Sequence, residues 1–306
     1  MRSIAYFPTF KRKYYFSNSF NGKLLLKQFY QPYGFLTSLF CLFWDRAPFV
    51  DRVFTTSIVN LPININTIQS ILGWKNIDFV LCGGAGTEKK ITGLCINKDT
   101  DEKVFFKYGS SNRAVQLIKN EINILNSLSL PIIPSLLYSG KETNQDVWFI
   151  TESFEGIKYN KIKVSSNIFS LILQINKAEF LKKKSSHCQL IYVFSHGDFC
   201  PWNLVINLEN NIKVIDWEMA GWYPLGFDLF TFIFQSSFLL SPNKKPVMLI
   251  KENLSWFNQY FSSYGVDNYL PYLKEFSFIK FKMEHSKNNV ELIQAYKNLI
   301  KAMDFL

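Results

Sequence analysis

From Asp78 the apolar residues fall into short strand-like runs: Phe79-Val80-Leu81-Cys82, then Ile91 to Ile96, then Val104-Phe105-Phe106. A glycine-rich turn and a polar turn at Asn97 to Asp101 separate them, so the pattern predicts three antiparallel strands in a meander. A helix is expected from Asn112 to Leu128, with Ser110, Ser111 or Asn112 as N-cap and Pro131 and Pro134 closing it. Val147 to Thr151 supplies a further strand. Upstream, a short helix from Asn66 to Leu72 ends at Gly73. The residues before it read as an accessory segment of aromatic-rich runs such as Lys23 to Tyr30, broken by Pro32-Tyr33-Gly34, Pro48 and Pro62.

Beyond Gly156 the pattern turns helical, with helices expected near 165 to 183, 228 to 240, 247 to 263 and 288 to 304. Two short β runs interrupt it, Leu204 to Asn207 and Ile212 to Ile215, joined through Glu209-Asn210-Asn211 as a hairpin. The boundaries expected from these shifts are an accessory segment over 1–72, a strand-rich lobe over 73–154 and a mainly helical lobe over 155–306.

A chain of 306 residues has room for two lobes. The formal charge of +10 allows an anionic partner, but the basic residues are scattered apart from Lys11 to Lys13 and Lys182 to Lys184. A solvated surface rather than a nucleic-acid stripe is expected. Cysteines at 41, 82, 95, 188 and 200 show no paired C-x-x-C interval of a zinc site, which fits a reducing, cytoplasmic setting. The longest apolar run, Gly34 to Trp44, is far short of the roughly 20 residues that span a bilayer and reads as a buried helix or strand. Its Phe and Leu content leaves room for peripheral membrane contact. The oligomeric state is not legible.

The most specific signal is Ser195-His196-Gly197-Asp198-Phe199-Cys200-Pro201-Trp202-Asn203, followed after the hairpin by Val214-Ile215-Asp216-Trp217-Glu218. Phosphoryl transfer needs an acid that takes the acceptor's hydroxyl proton and separate oxygen ligands for magnesium. A carboxylate and an amide five residues apart on one loop, with a second carboxylate after the next β turn, supply that set. These residues resemble the aminoglycoside phosphotransferase and choline kinase branch of the protein-kinase-like fold, whose catalytic loop reads H-G-D-x-x-x-x-N and whose metal motif reads I-D-W-E. The resemblance implies Asp198 as catalytic base, Asn203 and Asp216 as magnesium ligands, and His196 as a structural support. Pro224-Leu225-Gly226-Phe227-Asp228-Leu229 is similar to the family's D-P-x-x-D-L segment with its first acid replaced, which implies that Asp228 braces the loop. Glu218 supports either the metal or the loop.

Gly83-Gly84-Ala85-Gly86-Thr87 lies between two expected strands, where backbone free of side chains can close over phosphates: Gly83, Gly84 and Gly86 are the candidates. Glu121 falls on the apolar stripe Ala114, Ile118, Leu125, Leu128 of its helix, and a carboxylate on a core-facing line requires a cation. Lys107, at the end of the third strand, is the economical partner, and the pair is the one the resemblance implies. The resemblance puts Glu152-Ser153-Phe154 in the place of the hinge, where backbone at Glu152 and Phe154 would meet adenine; an exposed strand end is the other reading of the same residues.

The resemblance implies an α+β bilobal fold, a five-stranded antiparallel N-lobe with one helix and a mainly α-helical C-lobe, with nucleotide between the lobes. It implies a small-molecule kinase using ATP and Mg, with a sugar or amino-sugar hydroxyl as the expected acceptor. Many C-terminal lysines argue against a polycationic antibiotic. Nucleotidyl transfer on the same fold, and a nucleotide-binding pseudokinase scaffold working through the N-terminal segment, are the alternatives.

Overall fold

The computed structural model describes residues 4–8, 13–30, 55–56, 65–83, 90–141, 146–178 and 190–304. Gly84, Gly86, Cys41, Cys188, the Gly34 to Trp44 run and Lys182 to Lys184 lie outside these described residues. The chain divides into two compact units, Met1–Lys158 with Val205–Glu218, and Tyr159–Leu204 with Met219–Leu306.

The first unit is built on one antiparallel sheet. Its strands are β1 (Ile4–Pro8), β2 (Lys13–Ser17), β3 (Thr55–Thr56), β4 (Ile77–Gly83), β5 (Lys90–Asn97), β6 (Lys103–Gly109), β7 (Leu136–Gly140) and β8 (Val147–Glu152). They lie in the order β3-β1-β2-β4-β5-β6-β8-β7. The meander β4-β5-β6 follows the expected turns. The sheet has eight strands rather than five, because β1, β2 and β3 add to the edge at β4, with Phe16 paired to Val80 and Tyr14 to Cys82. Aromatic runs in the N-terminal segment looked irregular because the pairing that turns them into strands is with residues more than 60 positions away.

Period-two alternation sorts β4 between two cores. Val80 and Cys82 pack with Tyr14, Phe16, Leu94 and Ile96 beneath helix α1 (Phe20–Phe29), which contributes Leu25 and Leu26. Phe79 and Leu81 face the other way, with Ile91, Val104, Phe106 and Ile68 of helix α2 (Ile65–Leu72). Gly73, at φ +68°, ends α2 in the left-handed conformation a helix stop favours. Helix α3 (Asn112–Ser127) starts from Ser111, whose hydroxyl accepts the Ala114 N–H at 3.3 Å. Its buried stripe is Ala114, Leu117, Ile118, Glu121 and Leu125. A three-stranded sheet, β12-β11-β9, joins β9 (Ile157–Lys158), β11 (Leu204–Ile206) and β12 (Ile212–Val214).

In the second unit, β10 (Tyr192–Ser195) pairs antiparallel with β13 (Gly221–Pro224). Helices α4 (Ser166–Asn176), α5 (Phe227–Phe230), α6 (Ser236–Leu240), α7 (Pro246–Glu252), α8 (Leu254–Ser262), α9 (Leu270–Ser286) and α10 (Val290–Met303) make up the rest. A π-helical turn, Thr231–Gln235, joins α5 to α6. The core is aromatic: Phe230 contacts Phe257, Phe261 and Phe276, and Tyr296 contacts Phe238 and Phe276. That packing accounts for the high Phe content.

The expected helix over 247 to 263 is broken at Asn253, whose side-chain amide donates to Leu249 O at 2.9 Å and so competes with continuation of the ladder. α4 closes at Asn176, short of 183; that side chain donates to Phe194 O at 2.7 Å and accepts the Tyr260 hydroxyl at 2.5 Å. α9, a 17-residue helix, was not expected at all. Its buried line mixes Leu273 and Phe276 with Ser277, Lys280 and Glu284, so no apolar period announces it.

Candidate active site

In the first unit, sheet register brings two lysines to one face. Lys107 on β6 stands opposite Thr92 on β5, and Lys90 stands opposite Gly109. Residues 90 and 92 share a face, as do 107 and 109, so Lys90 and Lys107 are diagonal cross-strand neighbours. Lys90 escaped the sequence reading, although the register that exposes it follows from the turn at Asn97 to Asp101.

Lys107 is 3% exposed, and its ammonium meets three carboxylates. Glu121 Oε2 lies at 2.6 Å, Asp216 Oδ1 at 2.5 Å and Glu218 Oε2 at 2.9 Å. Glu218 Oε1 is 2.5 Å from Lys90. Asp216 leaves β12 with φ +67°, a conformation that asparagine and aspartate tolerate and that turns the chain sharply toward Lys107. The segment is then pinned: Trp217 N–H donates to Glu121 Oε1 at 3.1 Å, and the Asn120 amide donates to Glu218 O at 3.0 Å.

Among the described residues, two ammoniums, those of Lys90 and Lys107, meet these three carboxylates. Burial alone would pull the Lys107 ammonium down, but Asp216, Glu121 and Glu218 hold it well above its ordinary range. Burial, opposed by Lys107 and reinforced by the Asp216 and Glu218 charges, pushes Glu121 up to about 7. Oxygens of Glu121, Asp216 and Glu218 lie within 4.8 Å of one another, and Glu218 Oε2 is buried without a hydrogen-bond donor, its contact with Lys107 being an ion pair only. An all-oxygen set of carboxylates fits a hard divalent cation such as magnesium.

The hinge candidates lie along β8. The Glu152 N–H is spent on Ser135 O at 3.0 Å, and its carboxylate accepts the Ser135 N–H and the Lys213 ammonium, each at 3.1 Å. Phe154 lies 6.0 Å beneath the Lys213 ammonium. Gly83 ends β4, paired with Ile91.

In the second unit, the loop after β10 carries Asp198 and Asn203. Asp228, 1% exposed, accepts the His196 N–H at 2.7 Å on Oδ2 and the Gly197 N–H at 3.0 Å on Oδ1. His196 Nδ1 accepts the Asp198 N–H at 3.3 Å, a structural use of the ring. Gly197 sits at φ +82°, and a Cβ there would lie 2.2 Å from Met219 O. Only glycine fits, which explains the middle residue of His196-Gly197-Asp198. The short helix Pro201–Asn203 then returns Asn203 to Asp198: its amide donates to Asp198 O at 2.9 Å and to Asp198 Oδ2 at 3.1 Å. Because both partners can only accept, the Asn203 oxygen faces the other way and is available to a cation.

Asp198 Oδ1 accepts the Gln235 amide at 2.7 Å. Lys280 on α9 donates to Gly197 O and to Gln235 Oε1, both at 3.0 Å. Neither residue was singled out from sequence. Gln235 lies in the π-helical turn and Lys280 in the helix without a legible period.

Residues 176–245 match the model of the phosphotransferase enzyme family, a stretch that contains Asp198, Asn203, Asp216 and Asp228. No curated protein sequence matches. Among solved structures, aminoglycoside phosphotransferase APH(4)-Ia is similar at 11% identity with a TM-score of 0.51, over 79% of this chain and 99% of that one. A thermostable mutant of that enzyme in ternary complex with ADP and hygromycin B is similar at 11% identity and TM-score 0.50, over 78% and 97% of the two chains. A further mutant complex, with AMP-PNP and hygromycin B, is similar at 10% identity and TM-score 0.51, over 78% and 97%. The resemblance read from the motifs and the α+β fold class both hold.

Proposed function

We propose that this chain, a kinase-like phosphotransferase by its family match and its fold, moves the γ-phosphate of ATP to a hydroxyl of a small molecule, a sugar or amino sugar. The observation that carries the reading is the state of Asp198. Both of its carboxylate oxygens are fixed by amide donors, on a loop whose two preceding N–H groups are clamped by one buried acid.

In this reading Asp198 orients the acceptor hydroxyl and takes its proton as the oxygen attacks the γ-phosphorus; the bond to the bridging oxygen breaks and ADP leaves. Lys107, held by Glu121, binds the phosphates, and the glycines 83, 84 and 86 close over them. Backbone of Glu152 and Phe154 meets adenine; with the Glu152 N–H already engaged, its carbonyl is the group on offer. Asp216, Asn203 through its side-chain oxygen, and Glu218 would hold magnesium, which when bound neutralises charge on the phosphate oxygens. The complexes of the similar enzyme with ADP, AMP-PNP and hygromycin B support a nucleotide and a hydroxyl-bearing acceptor. Buried thiols at Cys95 and Cys200 accord with a reducing, cytoplasmic setting. Among the described residues no helix is long and apolar enough to cross a membrane.

The test is transfer from labelled ATP with magnesium to a pooled panel of sugars, amino sugars, choline and aminoglycosides, run beside Asp198→Asn. Labelled product that disappears in the variant supports the kinase and narrows its acceptor. Full turnover by Asp198→Asn would remove Asp198 from the mechanism.

A further inference from the structure

Lys280 is a buried cation that the phosphotransfer mechanism leaves unused. It is 3% exposed, on a helix whose other buried residues are mostly apolar, and it stands 5.1 Å over the face of Phe227. Burying an ammonium costs free energy unless its donors are taken up. Two of them go to Gly197 O and Gln235 Oε1, and the carboxylate of Asp198 lies 4.0 Å away.

The arrangement has a direction. An ammonium can only donate, so the Gln235 atom facing it must be the carbonyl oxygen, which Tyr296 also approaches with its hydroxyl at 3.4 Å. With that oxygen fixed, the amide nitrogen has to face Asp198 Oδ1, where it donates at 2.7 Å. The π-helical turn is what sets Gln235 there, since the extra residue in the turn shifts side-chain phase between α5 and α6. Through Gly197 O the same ammonium holds the residue preceding Asp198.

We propose that Lys280 and Gln235 act as one unit of positioning residues that fixes the rotamer of the Asp198 carboxylate, Lys280 setting the orientation of the Gln235 amide and Gln235 holding Oδ1. This leaves Oδ2, shared with Asn203, as the edge presented to the acceptor hydroxyl. The inference deepens the kinase reading and rests on it for its catalytic consequence, while the side-chain coupling stands independently.

The experiment compares wild type, Lys280→Met, Gln235→Leu and the double variant, with Lys274→Met on the exposed side of α9 as control. Met fills the lysine's volume, and near-UV circular dichroism checks that each variant is folded. In the transfer assay each single variant should lose about 10- to 100-fold in kcat with KM for ATP within about twofold, as misplacement of a base by a fraction of an ångström does. The double variant should lose no more than the worse single variant, because the two act in series. In protein labelled with carbon-13 at aspartate carboxyls, the Asp198 signal, assigned with Asp198→Asn, should shift in both single variants and not in the control. An unmoved Asp198 signal in folded Lys280→Met overturns the proposal whether or not an acceptor is known. A signal that shifts in both single variants, when wild type phosphorylates nothing on the panel, upholds the coupling and sinks the kinase reading alone. Should Lys280→Met fail to fold, Gln235→Leu carries the same two readouts.

Discussion

Trp217 donates its backbone N–H to Glu121 Oε1 at 3.1 Å, so the carboxylate that holds Lys107 also holds the segment bearing Asp216 and Glu218. One acid on α3 therefore serves two segments that are far apart in sequence, strand β6 and the turn after β12. Glu121→Leu should take from the Trp217 N–H its charged acceptor, while Lys107 keeps Asp216 and Glu218. The expected loss is about 1–3 kcal/mol of stability, the range for a buried hydrogen bond to a charged group. Urea unfolding should show it, together with weaker nucleotide binding.

The clamp at Asp228 makes a second case. An asparagine there presents one acceptor where His196 and Gly197 need two, and its NH₂ would face an N–H. Asp228→Asn should cost about 1–3 kcal/mol in thermal or urea unfolding and lower turnover by displacing the loop. Gly197→Ala should be worse. It combines a left-handed backbone, about 1–2 kcal/mol for an L side chain, with a Cβ forced to 2.2 Å from Met219 O.

Magnesium dependence should sort the acids. Asp216→Asn and Glu218→Gln each remove negative charge from the oxygen cluster, and calorimetric titration with a non-hydrolysable ATP analogue should show the magnesium-dependent gain in affinity falling by about tenfold or more. Binding without magnesium should change little. If Glu218→Gln kept the full gain, Glu218 would belong to the loop and to its ion pairs with Lys90 and Lys107 rather than to the metal.

Alkaline pH should act through the buried thiols. Burial pushes Cys95 up to about 12 and, with the Asp198 charge adding to it, raises Cys200 well above its ordinary value. A raised pKa means that the folded state favours the protonated thiol. The associated stability is fully present below about pH 9, the unfolded thiol's range, and is lost as pH climbs toward the folded value. Alkylation at pH 8 should spare Cys95 and Cys200 in the native protein and reach both in denaturant, read by peptide mass spectrometry.

The candidate site was legible where it is contiguous. His196 to Asn203 and Asp216 to Glu218 sit on single stretches of chain, and Glu121 announced itself by standing on its helix's apolar line. Groups supplied across the fold were not. Lys90 needed the register of β5 against β6, Gln235 needed a π turn that shifts helical phase, and Lys280 lies on a helix whose buried line is part polar. The same reason hid β1 and β2, whose apolar residues become strands only because β2 pairs with β4 and β1 pairs with β2.

That added pairing also bears on how the protein can be handled. In a chain shortened to start at residue 73, β4 would lose β2 and present its row of backbone donors and acceptors, flanked by Val80 and Cys82, to solvent. Bare apolar edges of this kind recruit strands from neighbouring molecules. Strands β1 to β3 thus act as a built-in guard against self-association, and trimming the chain to its recognisable motifs would trade solubility for brevity.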